Sequence, residues 1–343
     1  MPYFPTLVGS DEIKSRIGQT ARSGRLSHAY LIEGRRGSGK RTFARLISAA
    51  VCCEAKDDPT SPLPCGICAA CKKILADKTP DVRFLDRGEK ATISVEAIRT
   101  LRSEIALSAT ELDYKIFIIS DAHTMTPAAQ NALLISLEEP PPNVLILLLT
   151  ESCEAMLPTI RSRTQLLRMG YVEDAHLKEH LLKTSREASA LAKSSPEKLS
   201  AIISAADGRI GEALRLLSPK TQTELFKKRQ TVSELALAFA EARSFSAIYT
   251  ATIKLPTKRA ELTELLTMLG DAMRDLCSVR RFPDAKLLFF LDRSEALRLA
   301  GQGDFARLFS AEAAVRRAIF DLNANANVQI TLTALASSAF AAI

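Results

Sequence analysis

The chain has 343 residues, of which 47% are hydrophobic and 25% charged, so it is long enough to bury substantial cores in two or three domains. It has neither a run of ~18 apolar residues nor a basic and apolar N-terminal signal, so we expect a cytoplasmic protein without a membrane-spanning helix. Its net charge of +7 is compatible with a polyanionic partner, but the basic residues are spread along the chain, which favours an ordinary solvated surface for most of them.

The first half of the chain alternates short apolar runs with helical patterns, which is typical of a parallel sheet covered by helices on both faces. Runs such as KIFIIS and VLILLLT are almost wholly apolar, as strands buried on both faces should be. The predicted strands are Ala29 to Glu33, Val82 to Asp86, Lys115 to Ser120, Val144 to Thr150 and a short fifth one at Thr164 to Met169.

After the first predicted strand, the residues LIEGRRGSGKRTF satisfy the frame G-x-x-x-x-G-K through Gly34, Gly39 and Lys40. In such a loop, backbone N–H groups converge on phosphate oxygens at a helix N-terminus, and the lysine neutralises the outer phosphates. The next residue normally carries a hydroxyl that binds Mg²⁺, but here it is Arg41, and a guanidinium cannot ligate a cation. Thr42 comes one residue late, about 100° further round the helix. The sequence therefore predicts a phosphate-loop fold with an impaired magnesium site, and the alternative is an accidental glycine-rich turn.

Most of the cysteines lie in the segment CCEAKDDPTSPLPCGICAACKK, which begins at Cys52. A cytoplasmic protein rarely keeps disulfides, and the successive C-x-x-C spacing of Cys65, Cys68 and Cys71 suits tetrahedral Zn²⁺. We predict Cys53 as the fourth ligand, with Cys52 as the alternative. The zinc should be structural, because no nearby histidine or carboxylate leaves an open position for catalysis. Free buried thiols would not explain this spacing on a hydrophilic loop.

Beyond about residue 170 the sequence becomes helical, with apolar residues at three- and four-residue spacing. We therefore predict an α/β phosphate-loop domain with a zinc module at about residues 52–72, followed by two all-helical parts. The predicted domains are residues 1–168, 169–219 and 220–343, with SPKTQ as the last hinge.

Four features together resemble the clamp-loader branch of the AAA+ proteins. They are the phosphate loop, the cysteine insert, the segment LSHAYLIEG and the stretch YKIFIISDAHTMTPAAQNALLISLEEPPPNVLILLLTESCEAMLPTIRSRTQLL. The chain is similar to the clamp-loader subunits of bacterial DNA polymerase III, up to about residue 215. The resemblance implies an AAA+ domain followed by a small helical lid domain. The remaining residues fit the helical collar domain that joins the subunits of that family, by position only.

Two kinds of subunit share this plan: the gamma or tau motor, which hydrolyses ATP, and the delta-prime subunit, which has largely lost that ability. The motor ends one strand with Asp for the metal and Glu for the attacking water, where this chain has Ser120 and Asp121. In the motor subunits, an arginine of the motif G-x-x-R-D-A-L also contacts the nucleotide. The corresponding segment of this chain is GRIGEAL, with Gly211 at the position of that arginine. Together with Arg41, these departures favour the delta-prime type, without ATPase activity of its own. His123 follows this strand and is expected to be solvent-facing or hydrogen-bonded rather than a ligand.

The segment TIRSRTQ keeps Arg163 at the position of the family's Ser-Arg-Cys motif. The resemblance implies an arginine finger, which stabilises transition-state charge on the ATP of the adjacent subunit. The alternative is that Arg163 pairs with a local carboxylate, and Glu138 and Glu139 are expected to form salt bridges with arginines of this or a neighbouring subunit.

Thr150 stands where the family keeps a nucleotide-sensing polar residue, or it only caps its strand. The nucleotide-contacting residues predicted from loop and resemblance are Gly34, Gly37, Ser38, Gly39, Lys40, Arg41, Thr42, Asp121 and Thr150.

The resemblance implies a five-subunit ring with gamma/tau motor and delta subunits, which loads the sliding clamp onto primer-template DNA. This chain would be its rigid stator, with structural Zn²⁺, an impaired Mg²⁺ site and weak or absent ATP or ADP binding. Any DNA contact would be to backbone phosphates. A gamma/tau-type ATPase motor is the first alternative, supported by Lys40 and Asp121. A free-standing zinc and nucleic-acid-binding protein is the second, although the chain lacks a concentrated basic or aromatic patch.

Overall fold

The structure is a computed structural model that describes residues 3–241, 244–282, 287–290, 293–302 and 304–340. Its contacts divide the chain into two compact units. One is Met1–Thr184 with Asp207–Glu212, and the other is Ser185–Ala206 with Ala213–Ile343. The three domains expected from the sequence stay a prediction.

A parallel sheet forms the centre of the first unit. Its strands are β1 (Ala29–Glu33), β2 (Val82–Leu85), β3 (Lys115–Ile119), β4 (Val144–Thr150) and β5 (Gln165–Arg168). Within the described residues they lie in the order β2-β3-β4-β1-β5, and every neighbouring pair is parallel. The five predicted strands are confirmed, with ends that differ by one residue at most.

Helices cover both faces of this sheet, and successive strand residues pack on opposite faces. The helices that begin in this unit before residue 185 are α1 (Asp11–Arg22), α2 (Lys40–Val51), α3 (Ala69–Leu75), α4 (Val95–Ile105), α5 (Pro127–Glu138), α6 (Pro158–Arg161) and α7 (Asp174–Thr184). Ile32 and Ile118 belong to the core that contains residues of α1, α2 and α3. Leu31 and Phe117 belong to the opposite core, with residues of α4, α5 and α6. The predicted parallel sheet with helices on both faces is therefore confirmed.

The ends of α5 follow from its flanking residues. Thr126 accepts the N–H of Ala129 through its side chain, and Pro127 occupies the first helical position, where its missing N–H costs nothing. The helix ends at Glu138 because the prolines that follow lack the N–H groups needed to continue it. The sequence thus places Glu138 at the C-terminus of α5.

The second unit is helical, as predicted. Its helices are α8 (Arg186–Ser194), α9 (Pro196–Ala206), the end of α10 (Ile210–Leu216), α11 (Pro219–Glu241), α12 (Phe245–Thr252), α13 (Arg259–Arg281), α14 (Arg293–Gln302), α15 (Phe305–Asn323) and α16 (Val328–Phe340). The fully buried carboxylate of Asp275 accepts N–H groups of Leu288, Phe289 and Phe290, which ties residues 288–290 to α13. No helix in the described ranges is long and apolar enough to cross a membrane.

Candidate functional site

The phosphate loop connects β1 to α2 at the carboxyl edge of the sheet. Gly37 and Gly39 have φ angles of 81° and 92°, in the left-handed region that residues with a Cβ rarely adopt. Gly39 is the N-cap residue of α2, so the loop runs directly into a helix N-terminus. Converging N–H groups and the helix dipole make this an anion-binding geometry.

Lys40 begins α2 and is buried, with 8% of its surface exposed. Its Nζ atom donates hydrogen bonds to the carbonyl oxygens of Gly34 at 2.5 Å and of Arg35 at 3.0 Å. Burial lowers the pKa of Lys40, and the negative charges of Glu151 and Asp121 oppose this shift. Two of the three N–H donors of the ammonium are thus used by its own loop, which leaves one for a phosphate unless these carbonyls are displaced.

Arg41, at the position of the magnesium-binding hydroxyl, is exposed and lies over the ring of Phe84 in β2, 4.6 Å from the ring centroid. Arg45, one turn further along α2, lies 5.4 Å from the same centroid and forms a salt bridge with Asp77. Cation–π contacts of this kind contribute about 0.5–1 kcal/mol at exposed sites. Arg41 is thus held against β2 and brings no oxygen ligand to the loop, while Thr42 is exposed.

The carboxyl ends of β3 and β4 carry the other residues predicted to meet the metal or the nucleotide. The Oγ atom of Ser120 is buried and has no hydrogen-bond partner among the described residues. The carboxylate of Asp121 lies 3.8 Å from Nε of Arg87. Thr150 is fully buried, and its Oγ1 donates to the carbonyl of Ser152 at 2.7 Å and accepts the N–H of that residue at 3.2 Å. Thr150 therefore closes a local turn at the end of β4. This arrangement is compatible with the alternative that Thr150 only caps its strand.

Glu151 also belongs to this edge of the sheet, although sequence reasoning did not single it out. Asp121, His123 and Glu151 each offer one ligand atom, and these atoms lie within 4.8 Å of one another. His123 is hydrogen-bonded, because its Nδ1 accepts the N–H of Glu151 at 3.4 Å. Glu151 follows β4 directly but carries no motif, so only its position in the sheet could have revealed it.

Gly211, at the family's arginine position, lies directly against the phosphate loop. Its N–H donates to the carbonyl oxygen of Gly37 at 2.9 Å. A Cβ atom at position 211 would lie 3.0 Å from Cα of Gly37 and 3.1 Å from its carbonyl oxygen, which is too close without a backbone shift. In the same region, Arg35 forms a salt bridge with Asp207 at 2.9 Å and lies over the ring of Tyr171. Residues 207–212 thus pack on the loop itself.

The structure brings together Cys53, Cys65, Cys68 and Cys71, whose sulfur atoms lie within 4.8 Å of one another. Backbone N–H groups of this segment point at the sulfurs. Cys65 donates to Cys53 at 3.5 Å, Cys68 to Cys65 at 3.4 Å, and Cys71 to Cys68 at 3.4 Å. Such N–H groups stabilise thiolates, and four converging thiols fit the tetrahedral preference of Zn²⁺.

Cys52 lies outside this group of four sulfur atoms. It is buried, and burial raises the pKa of its thiol to about 12. Burial also raises the pKa of Cys53 and of Cys71 within the group, whereas N–H groups of Cys68 and Ile67 and the neighbouring thiols bring the pKa of Cys65 down to about 7. The position of the sulfur atoms, and not the acidity of the thiols, therefore favours Cys53 over Cys52 as the candidate fourth ligand.

Arg163 follows α6 and is held within its own unit. Its Nη2 atom lies 2.8 Å from a carboxylate oxygen of Glu138, the last residue of α5. Its Nη1 atom donates to the carbonyl oxygen of Thr159 at 3.0 Å and to Oγ of Ser162 at 3.3 Å. The Arg163 side chain nevertheless remains 37% exposed. Glu138 is therefore a local carboxylate that pairs with Arg163, as the alternative to an arginine finger describes. The guanidinium is nevertheless accessible to solvent.

The segment that carries Arg163 is anchored to α5 by a buried glutamine. Gln130 accepts the N–H of Leu157 at 2.8 Å through Oε1, and its Nε2 donates to the carbonyl oxygens of Met125 at 3.3 Å and Ala155 at 3.5 Å. Because Leu157 immediately precedes α6, this residue fixes where α6 begins. Both ends of α5 thus contact the segment that presents Arg163.

A phosphate loop after β1, with β4 between β1 and the strand β3 that leads to Asp121, defines a P-loop domain of the AAA+ type. Residues 9–173 match the family described as DNA polymerase III, delta subunit. The DNA polymerase III subunit gamma/tau of Mycobacterium bovis is 33% identical over 161 residues, which are 47% of this chain and 27% of that protein. The subunit tau of Bacillus subtilis is 33% identical over 215 residues, 62% of this chain and 37% of that protein. The first half of the chain is therefore similar to a DNA polymerase III clamp-loader domain, as found in the gamma and tau subunits.

The chain spans less than two fifths of either of these two relatives. Among solved structures, a DNA polymerase III gamma subunit-related protein from Thermotoga maritima aligns with 94% of this chain and 97% of its own, at 20% identity and a TM-score of 0.45. These relationships do not separate a motor subunit from a delta-prime subunit.

Proposed function

We propose that this chain is a delta-prime-type stator of a DNA polymerase III clamp loader, which does not turn over ATP itself and offers Arg163 to ATP on a neighbouring subunit. The observation that carries this proposal is Arg41, which replaces a metal-binding hydroxyl and stacks on Phe84 at 4.6 Å. The proposed partners are gamma/tau motor and delta subunits in a five-membered ring, the sliding clamp, and primer-template DNA.

The residues around the phosphate loop do not fit a catalytic Mg²⁺ ion. Arg41 has no oxygen to donate, and Ser120 offers a hydroxyl where a carboxylate is needed to balance the charge of the ion. Gly211 brings backbone, and no cation, to the loop. We therefore propose no hydrolytic step at this loop, although its N–H groups and Lys40 remain able to hold a phosphate weakly.

Arg163 has the chemistry that a finger in trans requires. Its guanidinium stays charged at any physiological pH and can grip a phosphate through two N–H groups. A finger of this kind accelerates phosphoryl transfer by roughly 10³ to 10⁵. Its partial exposure in the isolated chain is compatible with contact to an adjacent subunit.

The test is reconstitution of the complex with ATP-hydrolysing partner subunits. We expect Arg163→Ala to lower the ATPase rate of the complex by roughly a hundredfold or more, with assembly intact by size-exclusion chromatography. Arg161→Ala is the matched control, because Arg161 is an exposed arginine of the same segment, and it should change the rate little. An ATPase rate unaffected by Arg163→Ala would refute the proposed finger.

The motor alternative has a specific observation in its favour, since Lys40 is in place and Asp121 and Glu151 lie near enough to influence its pKa. The two functions differ in the activity of the purified chain. Mg²⁺-dependent turnover near ~1 s⁻¹, at the low end for enzymes, and its loss in Lys40→Ala would establish a motor. The stator proposal expects no such turnover.

We also propose that the four clustered cysteines hold one structural Zn²⁺, which would fix the chain around residues 53–71 by coordination. A free-standing zinc and nucleic-acid-binding protein would share this feature. It would, however, bind DNA tightly as an isolated monomer. The clamp-loader proposal expects weak, salt-dependent DNA binding by the isolated chain, measured by fluorescence anisotropy at two salt concentrations.

A further inference from the structure

Glu138 contacts Arg163, the side chain that we propose to act on the ATP of the next subunit. A guanidinium has five N–H donors. In this chain Nη2 of Arg163 is engaged by Glu138 at 2.8 Å, and Nη1 by Thr159 and Ser162. The Nε–H of Arg163 has no hydrogen bond to any residue of the described ranges. The side chain is thus held at one end while part of its donor set remains available to a phosphate.

The contact between Glu138 and Arg163 contributes little to the stability of the folded chain. The two side chains are 47% and 37% exposed, and ion pairs this accessible to water usually contribute little to stability. The pair has a geometric effect, because arginine has several rotatable bonds and the contact with Glu138 favours the orientation in which Nη2 lies 2.8 Å from the carboxylate. Glu138 itself is fixed, since it is the last residue of α5 and is followed by a proline turn.

We infer that Glu138 is a positioning residue for Arg163, which holds the guanidinium in the orientation that the neighbouring ATP meets. This inference rests on the proposed function. Glu138 does not touch the nucleotide in this scheme, and it acts only by reducing the orientations that Arg163 samples before assembly. A small misplacement of a catalytic group costs as much as roughly a hundredfold in rate, so loss of this support should be measurable.

The test is a double-mutant cycle in the reconstituted complex, with the ATPase kcat and the KM for ATP measured separately. We expect Glu138→Ala to lower kcat by about twofold to fivefold, the change in population of one orientation that an exposed ion pair can produce, with KM and assembly unchanged. Glu138→Gln keeps an oxygen near Nη2 of Arg163 but loses the negative charge of the ion pair, so it should lose less than Glu138→Ala. Glu139→Ala is the matched control, because this neighbouring carboxylate is exposed and, among the described residues, forms no salt bridge with Arg163.

The decisive comparison is Glu138→Ala in an Arg163→Ala background. If Glu138 acts through Arg163, the double variant is no slower than Arg163→Ala alone. A further loss in that background, an unchanged rate in Glu138→Ala, or a higher rate in Glu138→Gln from relief of negative charge would each overturn the inference. If Arg163→Ala itself has no effect, the proposed function fails as well, so the two failures are distinguishable.

Discussion

The N–H of Gly211 donates a hydrogen bond to the carbonyl oxygen of Gly37 at 2.9 Å, so α10 begins directly on the phosphate loop. This contact gives a physical reason for glycine at a position where the motor subunits of the resembling family have arginine. A Cβ at this position would be tightly placed, because it would lie 3.0 Å from Cα of Gly37. Any larger residue, arginine included, therefore requires the backbone at Gly37 to move by a few tenths of an ångström.

We expect Gly211→Ala to destabilise the chain by about 1–3 kcal/mol, the usual cost of forcing an extra methyl into a close-packed contact. Urea unfolding followed by circular dichroism measures the change. Gly301→Ala is the control, because Gly301 lies in α14 with no atom within 4 Å of an added Cβ. That substitution should be neutral or stabilising, by up to ~1 kcal/mol, since alanine favours a helix. Equal stability of the Gly211→Ala and wild-type chains would show that the close contact is not maintained in solution.

Restoring oxygen ligands should restore magnesium dependence before it restores hydrolysis. In the double variant Arg41→Thr, Ser120→Asp, we expect Mg²⁺ to strengthen ATP binding by at least about tenfold, which corresponds to about 1.4 kcal/mol. The rate of hydrolysis should stay low, because Gly211 still places no cation on the nucleotide. Titration of a fluorescent ATP analogue with and without Mg²⁺ measures the effect. The wild-type chain should show little Mg²⁺ dependence, and a strong dependence there would contradict the proposed loss of the metal site.

The cysteine cluster predicts a metal-dependent stability. We expect about one zinc ion per purified chain by elemental analysis and near-complete loss in Cys68→Ser, with a lower melting temperature. Cys52→Ala is the control, since Cys52 is a buried cysteine of the same segment outside the four-sulfur group. It should keep its zinc even if the small cavity lowers stability. Zinc retained in Cys68→Ser but lost in Cys52→Ala would identify Cys52 as a ligand.

Asp81 predicts a pH-dependent stability outside the candidate sites. Its buried carboxylate accepts the N–H groups of Thr110, Glu111 and Leu112 at 2.8, 2.6 and 2.9 Å. Burial alone would raise the pKa of Asp81, but these donors outweigh it, so the pKa is lowered from its ordinary value. A lowered pKa in the folded state stabilises the fold above the ordinary carboxylate pKa of about 4, and this contribution is lost as the pH falls through the lowered value.

We therefore expect Asp81→Asn to cost about 1–3 kcal/mol in the free energy of unfolding at pH 7, with a smaller difference from wild type in acid. Urea unfolding at pH 7 and near pH ~3 measures both values. Asp57→Asn, at an exposed position, should change stability by less than about 0.5 kcal/mol at either pH. An Asp81→Asn penalty that is the same at both pH values would contradict the role of the charged carboxylate.

Local patterns in the sequence were sufficient for the sheet and for the outline of the sites. The apolar runs of β3 and β4 predicted strands because both faces of these strands are buried. Gly34, Gly39 and Lys40 predicted a phosphate loop because their spacing after a strand is that of the motif, and Gly39 adopts the left-handed backbone conformation that favours glycine. The C-x-x-C spacing placed Cys65, Cys68 and Cys71 together because their separation along the chain is itself short. In each case the information lies within a few neighbouring residues.

The tertiary structure decided contacts between residues that are distant along the chain. It brought Glu138 to Arg163, Gly211 to Gly37, and Glu151 to the edge that carries Asp121. It also placed Arg41 against Phe84, a contact that the phosphate-loop motif does not predict. None of these pairs has a periodicity or spacing that a sequence can display. They arise because packing the helices on a twisted parallel sheet brings loop ends to one edge, and which side chains then meet depends on the register of the whole fold.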